Sequence, residues 1–422
     1  MIIKNGRIID PSSGYNENAD LLIRDGKIKA IGQFDDIYDD EIIDAENMVV
    51  APGLVDVHVH FRDPGFTYKE DIQTGSDAAA AGGFTTVIAM ANTNPIIDNE
   101  DTLKSVLEKM GKSKINVHTV AAVTKGFKGE ELVDMDLLYK LGAVGFSDDG
   151  IPINNEATIL KAMLKAKELN VPLSFHEEDP NFIGIPGIND GKVSKRLGIK
   201  GASYVSEDVM VARDSMLALY TGATIDIQHI SSGNSVDMIR FIKGLGANVY
   251  AEVTPHHFSL TEDAVLEHKS LAKMNPPLRT KEDKMRIIEG IKDDTIEIIA
   301  TDHAPHSSEE KMRELTKTPS GIIGLETSLP LGITNLVRNG HLSLMKLLEK
   351  MTINPARLYN LDCGSLSIGS KADIVIFDDN ESYVVSKFKS KSSNSPFIGE
   401  TLYGKVKYTI CGGNNTTKML KI

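Results

Sequence analysis

The sequence predicts an α/β protein: a (β/α)8 TIM barrel with a small β-sandwich domain formed by both chain termini. Through the middle of the 422-residue chain, eight apolar strand-like runs alternate with amphipathic helix-like runs, which is typical of a parallel sheet closed into a barrel. Short β-like runs separated by turn residues occupy both ends. We therefore expect a terminal domain of residues 1–50 plus 358–422 and a barrel of residues 51–357.

The terminal domain is predicted from short β-like runs bounded by Gly, Asn and Asp. In the first fifty residues these runs are 1–4, 20–23, 27–31 and 47–50. Near the other end they are 372–377, 383–385 and 406–411. Between the last two lies the Ser- and Lys-rich segment 386–395, which we interpret as a solvated loop.

The barrel is predicted because runs with the hydrophobic period of a strand alternate regularly with runs that have the period of a helix. The expected strands are 54–60, 85–91, 115–123, 143–147, 171–177, 224–230, 247–254 and 296–303. The expected helices are 70–81, 102–112, 156–169, 207–221, 235–245 and 281–291, with a final helix near 351–357. The connections 178–206 and 255–295 are long, and long loops in a compact domain are more often functional than accidental.

Composition excludes several classes of protein. The 59 acidic residues outnumber the 46 basic ones, and no basic patch stands out, which argues against a nucleic-acid partner. The two cysteines, Cys363 and Cys411, lie far from any histidine cluster, so they indicate neither a disulfide framework nor a thiolate metal site. Without a secretory leader or long apolar span, we expect a cytoplasmic protein with no membrane partner.

The first barrel strand ends in His58-Val59-His60. Because side chains alternate along a strand, these two imidazoles project from the same face and could reach one metal ion. Segment Arg62-Asp63-Pro64-Gly65 then breaks the strand into a loop. The pair alone is weak evidence, since a histidine on a strand is usually a satisfied core residue.

More polar residues follow the other predicted barrel strands, where the active site of such a barrel is built. They are Asp148, Asp149, His176, His229, Asp302 and His303. Several imidazoles and carboxylates converging on one edge form a nitrogen and oxygen ligand set that suits Zn²⁺. Such a site would lower the pKa of a bound water and support hydrolysis. In the alternative interpretation, His176 and His229 only cap their strands and Asp302 is a helix cap or loop carboxylate.

This order of histidines and aspartate resembles the amidohydrolase superfamily. Within it, five segments resemble the dihydroorotase family of the long bacterial and archaeal type. They are 58–65 (HVHFRDPG), 90–95 (MANTNP), 146–150 (FSDDG), 274–279 (MNPPLR) and 301–306 (TDHAPH). The likeness runs over essentially the whole chain.

The resemblance implies a site for one or two Zn²⁺ ions per subunit. His58, His60 and Asp302 would hold one ion, and His176 and His229 would hold the second. Many members of the superfamily bridge the two ions with a carboxylated lysine after the fourth strand, where this chain has Asp148-Asp149. We expect Asp149 to be the bridging ligand, with Asp148 as the alternative.

The resemblance also implies a set of substrate-binding residues. A guanidinium can bind a ring carboxylate through paired charge-assisted hydrogen bonds, which is the role expected of Arg62. The other expected contacts are Asn92, Asn275, His306 and the backbone at Ser320-Gly321. In the simpler interpretation, Arg62 pairs with Asp63 or another loop acid, and the two asparagines only shape turns before proline.

The implied reaction is the reversible cyclisation of N-carbamoyl-L-aspartate to L-dihydroorotate and water in pyrimidine (UMP) biosynthesis. Asp302 would shuttle the proton between water and the ring nitrogen. We expect segment 303–313 to act as a mobile lid over the substrate.

Other interpretations remain open at this point. Allantoinases and dihydropyrimidinases share the scaffold, but their substrates lack the ring carboxylate and they resemble the lysine-bridged pattern. Some related chains are non-catalytic partners of aspartate transcarbamoylase, although every ligand position is filled in this sequence. We also expect a homo-oligomer, a dimer, in which association with the transcarbamoylase could coexist with activity.

Overall fold

A computed structural model describes residues 1–34 and 41–417 of the chain. Strands and helices alternate through most of this length, so the predicted α/β class is confirmed. The terminal domain predicted above also includes residues 35–40 and 418–422, which lie outside the described residues. No helix in the described ranges has the length and apolar character that crossing a bilayer requires.

The strands and helices are numbered here in chain order. Strands β1 to β15 are Ile2–Asp10, Tyr15–Arg24, Lys27–Gly32, Ile42–Asp44, Val49–Pro52, Leu54–Val59, Phe84–Ala89, Asn116–Thr119, Leu173–Phe175, Ile225–Ile227, Val249–Val253, Ile298–Ile299, Ile374–Val384, Thr401–Cys411 and Asn414–Asn415. Helices α1 to α14 are Ile72–Ala81, Glu100–Met110, Met135–Leu141, Glu156–Leu169, Lys192–Leu197, Val205–Thr221, Gly233–Gly244, Pro255–Ser259, Ala264–His268, Lys281–Lys292, Ser308–Lys311, Ser328–Gly332, Leu344–Met351 and Ile353–Leu358.

One mixed sheet contains strands from both ends of the chain. Its order is β15-β14-β13-β5-β1-β2-β3, with β4 also paired to β1. The two ends meet where β5 pairs antiparallel with β13, at Val50 opposite Ile376. These two side chains and Ile8 of β1 are fully buried in a common apolar cluster. Burial of this shared face holds the N-terminal and C-terminal strands together.

The middle of the chain contains two parallel sheets, β6-β7-β8 and β12-β11-β10-β9. Isolated parallel bridges connect them at both edges: Val59 pairs with His303, and Phe146 pairs with both Ala121 and Leu173. The strand predicted at 143–147 is therefore reduced to a bridge at Phe146. Pro172, whose carbonyl accepts from the Phe146 N–H at 3.3 Å, has no N–H with which to extend this pairing.

Helix α4 has the boundaries predicted from the sequence because both ends carry strong local signals. Its N-cap residue Asn155 accepts hydrogen bonds from the backbone N–H groups of Ala157 and Thr158. Its last turn ends at Asn170 in a left-handed conformation (φ 56°). The helices that were not predicted are α3, α5, α8, α9, α11, α12 and α13.

The interpretation of 386–395 as a solvated loop is right only in part: the segment has no helix or strand and alternates exposed with buried residues. Ser390, Ser392, Asn394 and Ser395 of this segment are buried. The side chains of Ser390, Ser392 and Asn394 bond to Glu70, Lys69 and Ala304, in the central part of the chain. Composition alone suggested exposure, but hydrogen-bond partners distant in sequence compensate for burial of these polar groups.

Candidate active site

The predicted site residues meet in a cavity of about 120 Å³ at the carboxyl ends of the parallel strands. The residues that line it are His60, Arg62, Asn92, Asp149, Gly150, His176, His229, Asn275, Asp302, Ala304, Ser320 and Gly321. His58 lies beneath this layer and is completely buried. The cavity is therefore built from the same strand ends that the sequence singled out.

His58, His60 and Asp302 form one cluster of candidate metal ligands, with one potential ligand atom of each within 4.8 Å of the others. Asp302 Oδ1 lies 2.9 Å from His60 Nε2 and 3.6 Å from His58 Nε2. Strand β6 presents both imidazoles on one face, and Asp302 follows β12. The bridge between Val59 and His303 brings these two strand ends together.

Asp149 connects this cluster to a second pair of imidazoles. Its carboxylate lies 3.5 Å from the Nε2 atoms of both His58 and His60 and 3.7 Å from His176 Nδ1. His176 Nδ1 in turn lies 2.9 Å from His229 Nε2. Burial raises the pKa of Asp149, but the neighbouring imidazoles outweigh this effect and hold its pKa well below the usual range.

Asp148 points away from the cavity, although it precedes Asp149 directly. Its carboxylate accepts hydrogen bonds from the backbone N–H groups of Val123 at 2.7 Å and Thr124 at 3.1 Å, and from the Thr124 hydroxyl. Burial raises the pKa of Asp148 to about 6. The geometry thus gives Asp148 a structural position and places Asp149 among the imidazoles.

The residues around the cavity fit a metal ion. The Nε2 atom of His58 is buried and has no hydrogen-bond partner within the described part of the chain, and leaving such an atom unpaired is costly. It faces two carboxylates, as a metal-ligand nitrogen would. Imidazole nitrogens with carboxylate oxygens form the donor set that zinc and related divalent ions prefer.

Three polar residues hold the outer nitrogens of these imidazoles. Glu252 Oε2 lies 3.1 Å from His58 Nδ1, and Glu178 Oε2 lies 3.0 Å from His176 Nε2. The third is Asn92, whose Oδ1 lies 3.0 Å from His60 Nδ1 while its Nδ2 donates to Asp149 at 2.9 Å. Sequence reasoning missed Glu252 and Glu178. Glu252 could have been found from the sequence, because it is the charged residue of the otherwise apolar strand β11.

Arg62 lines the cavity and does not pair with its neighbour Asp63. The Asp63 carboxylate instead binds Lys109 at 2.5 Å, which argues against the Asp63 partner in the simpler interpretation. The Arg62 Nε donates to the carbonyl of Pro305 at 3.3 Å. Burial lowers the pKa of Arg62 from its usual value, against the opposing attraction of Asp302 and Asp149. An anionic ligand in the cavity would complement this half-buried cation.

His306 lies beside the cavity rather than in its lining. It lines an adjacent, larger cavity of about 810 Å³. Its Nε2 lies 2.8 Å from the carbonyl oxygen of Ser320, which can only accept, so Nε2 carries the proton. Burial, with further repulsion from Arg62 and Lys69, lowers the pKa of His306 to about 2. His306 is therefore a neutral imidazole tied to the segment Ser320-Gly321.

Asn275 lies across the cavity from the first ligand cluster. Its Nδ2 is 3.4 Å from His176 Nε2. Its Oδ1 is buried without a hydrogen-bond partner among the described residues. An unsatisfied acceptor in the lining can take a hydrogen bond from a ligand N–H.

Clustered histidines and carboxylates at the carboxyl ends of parallel strands define the class of metal-dependent hydrolases built on such sheets. Residues 49–416 match the amidohydrolase family. Two curated relatives are dihydroorotases: that of Clostridioides difficile (strain 630) is 66% identical and that of Lactococcus lactis subsp. lactis (strain IL1403) is 54% identical. Each alignment covers 98% of both chains. The chain belongs to the amidohydrolase family and, within it, to the dihydroorotases.

Solved structures with the same fold include hydantoinases. An L-hydantoinase (dihydropyrimidinase) from Arthrobacter aurescens superposes with a TM-score of 0.86 at 26% identity, over 98% of this chain and 95% of that one. A D-hydantoinase (dihydropyrimidinase) from Thermus sp. gives 0.84 at 26% identity, over 98% and 94%. The architecture is thus shared along nearly the whole chain, while sequence identity is much higher to the dihydroorotases.

Proposed function

We propose that this enzyme interconverts N-carbamoyl-L-aspartate and L-dihydroorotate, with loss or gain of water, in pyrimidine (UMP) biosynthesis. The observation that carries this proposal is the 66% identity to a dihydroorotase over 98% of both chains. The cavity supports it, since a half-buried arginine and clustered imidazoles face the same small space. A ring carboxylate and a ring amide are the two groups that such a cavity would bind.

Zn²⁺ is the cofactor that we propose, with one or two ions per subunit. His58, His60 and Asp302 would hold one ion, and His176 and His229 would hold the other, with Asp149 between them. When bound, the metal supplies Lewis-acid activation of water and of the ring carbonyl. The buried, unpaired Nε2 of His58 supports this assignment.

Asp302 is the proposed catalytic residue. In hydrolysis of the ring, its carboxylate takes a proton from the attacking water and passes it to the departing ring nitrogen. In cyclisation the same carboxylate moves the proton in the opposite direction. Its position after β12, with Oδ1 2.9 Å from His60 Nε2, supports this assignment.

The proposed substrate contacts divide into two sets. Arg62, Asn92 and His306 are assigned to the ring carboxylate, for which the arginine supplies the positive charge. The Nε2–H of His306 would exchange the Ser320 carbonyl for the substrate carboxylate. Asn275 and the backbone at Ser320-Gly321 would bind the ring amide groups. Of these residues, all but His306 line the cavity.

The proposed architecture is a (β/α)8 barrel of residues 51–357 and a β-sandwich domain of residues 1–50 plus 358–422. The parallel bridges at Val59 and Phe146 support closure of the barrel. The mixed sheet with strands from both ends supports the second domain. A cytoplasmic location, a homodimer and association with aspartate transcarbamoylase belong to the same proposal. Two free cysteines are compatible with a reducing compartment.

A test of the function compares substrates that differ in the ring carboxylate. Purified enzyme loaded with Zn²⁺ is assayed on L-dihydroorotate, dihydrouracil, hydantoin and allantoin, with and without a chelator. We expect chelator-sensitive turnover of dihydroorotate alone and its loss in Arg62→Ala. Turnover only of rings without the carboxylate would assign the enzyme to the dihydropyrimidinase or allantoinase reaction instead.

A further inference from the structure

The segment between β13 and β14 returns from the mixed sheet to the rim of the active-site cavity. Ser390 bonds to Glu70, Ser392 Oγ donates to the carbonyl of Lys69 at 2.7 Å, and the Lys391 N–H donates to Glu70 at 3.1 Å. The segment therefore has a fixed position against the loop that follows β6. Asn394 in this segment is also buried, at 4% exposed.

Asn394 connects two stretches of backbone that border the cavity. Its Nδ2 donates to the carbonyl oxygens of Ala304 and Gly321, at 3.1 Å each. Its Oδ1 accepts from the backbone N–H of His306, also at 3.1 Å. The side-chain amide thus uses both of its donors and its acceptor on these two stretches.

The two stretches carry groups that we propose as contacts of the substrate. Ala304 and Gly321 both line the cavity, and His306 donates to the Ser320 carbonyl. One side-chain amide from the C-terminal part of the chain therefore adds three hydrogen bonds to the link between residues 304–306 and 320–321. A backbone hydrogen bond from the Ala304 N–H to the Ile322 carbonyl, at 2.7 Å, joins the same two stretches. Small displacements of binding groups lower the efficiency of an enzyme strongly.

We infer that Asn394 is a positioning residue for substrate binding: it holds the segments 304–306 and 320–321 at the separation that the dihydroorotate ring requires. This inference rests on the proposed function. It gives the C-terminal segment a part in the active site, although Asn394 itself lines the larger adjacent cavity and does not contact the metal-ligand cluster.

Two substitutions separate the contacts that Asn394 makes. Asn394→Ala removes all three hydrogen bonds. Asn394→Asp keeps an oxygen acceptor for the His306 N–H but loses the donors to Ala304 and Gly321. The matched control is Ser393→Ala, because Ser393 is the exposed neighbour in the same segment.

The measurements are KM and kcat for L-dihydroorotate, bound metal per subunit, and hydrogen exchange at the His306 amide. For both Asn394 variants we expect KM to rise about tenfold, with a smaller change in kcat and unchanged metal content. Exchange at His306 should accelerate in Asn394→Ala and stay slow in Asn394→Asp. Ser393→Ala should match the parent in every measurement.

Three outcomes would overturn the inference: a parental KM in both Asn394 variants, a loss of kcat alone, or a loss of bound metal that accounts for the defect. If the parent enzyme fails to turn over dihydroorotate, the proposed function itself is wrong. The parental assay therefore distinguishes the two failures. Hydrogen exchange reports the loss of the His306 contact even in a variant with little activity.

Discussion

Glu252 and His58 form a completely buried pair in which Glu252 Oε2 lies 3.1 Å from His58 Nδ1. A carboxylate at this position accepts a hydrogen bond from a protonated Nδ1. The lone pair of Nε2 is then directed at the cavity. Glu252 thereby sets both the tautomer and the orientation of the imidazole. The strand β11 that carries it is remote in sequence from β6.

Replacement of Glu252 by Gln should weaken metal binding. The amide still accepts a hydrogen bond but no longer increases the basicity of His58, so we expect the metal affinity to fall about tenfold to a hundredfold. Competition with a chromophoric chelator measures this change. Glu297→Gln, which alters a carboxylate paired with Lys243, is the control and should keep the parental affinity; equal affinities in all three proteins would refute the role of Glu252.

Asp148 and Asp149 should respond differently to substitution by Ala. Asp149→Ala should lose bound metal and turnover, because Asp149 lies among the imidazoles. Asp148→Ala should keep metal binding but lower the free energy of unfolding by about 2 kcal/mol, because the N–H groups of Val123 and Thr124 lose their acceptor. Metal analysis and urea unfolding measure the two effects. An Asp149→Ala protein that retains metal and activity would contradict this assignment.

Arg62→Lys should raise KM for dihydroorotate by at least about tenfold, since an ammonium group cannot reproduce paired contacts to a carboxylate. Steady-state kinetics measure the change. Arg338→Lys is a suitable control, because the Arg338 guanidinium stacks on Tyr403 at 3.7 Å and does not line the cavity. A parental KM in Arg62→Lys would show that Arg62 does not bind the substrate carboxylate.

Glu326 makes the stability of the fold depend on pH. Burial raises its pKa from 4.5 to about 7, while its carboxylate accepts from the N–H groups of Lys389 at 2.9 Å and Ser390 at 3.1 Å. The carboxyl group of Glu326 has a pKa of 4.5 in the unfolded chain and about 7 in the folded protein. Between these two values the folded protein binds more protons than the unfolded chain. The contribution of Glu326 to stability is therefore present below pH 4.5 and is lost as the pH rises to about 7.

Glu326→Gln abolishes this titration and keeps an oxygen acceptor. The free energy of unfolding of the variant, relative to the parent, should thus increase by about 2 kcal/mol between pH 5 and pH 8. Urea unfolding of both proteins at the two pH values measures the difference. The exposed residue Glu400 provides the control Glu400→Gln, which should follow the parent. A difference for Glu326→Gln that does not change with pH would contradict the raised pKa.

Both thiols should be unreactive in the native protein. Burial raises the pKa of Cys363 and of Cys411 to about 12, so the thiolate fraction at pH 8 is on the order of 10⁻⁴. We expect no rapid reaction with a disulfide reagent at pH 8 and modification of both thiols after unfolding in urea. Rapid modification of the folded protein would show that a thiol is accessible and ionised.

The sequence predicted the elements with strong local signals. Capping at Asn155 and Asn170 set the ends of α4, and apolar runs located the parallel strands. The metal-ligand candidates were accessible to sequence reasoning because they directly follow such runs. The shortening of the strand at Phe146 could not be predicted from the sequence, because its pairing depends on Pro172 in the neighbouring segment.

Contacts between distant segments could not be predicted. The composition of 386–395 is typical of a solvated loop, yet Asn394 is buried by partners some 70 to 90 residues earlier in the chain. Glu252 lies 194 residues from His58. The choice between Asp148 and Asp149 also needed coordinates, because both follow the same strand and differ only in which neighbours they face.

The pairing of β5 with β13 also bears on how the chain acquires its structure during translation. The ribosome makes Val50 more than 300 residues before its partner Ile376. Until β13 emerges, β5 has an unpaired edge, and Asn394 is not yet available to join Ala304 to Gly321. A nascent chain would thus possess all the histidines of the metal cluster before the Asn394 amide can bond to Ala304 and Gly321, and the positioning that we assign to Asn394 would follow synthesis of β13.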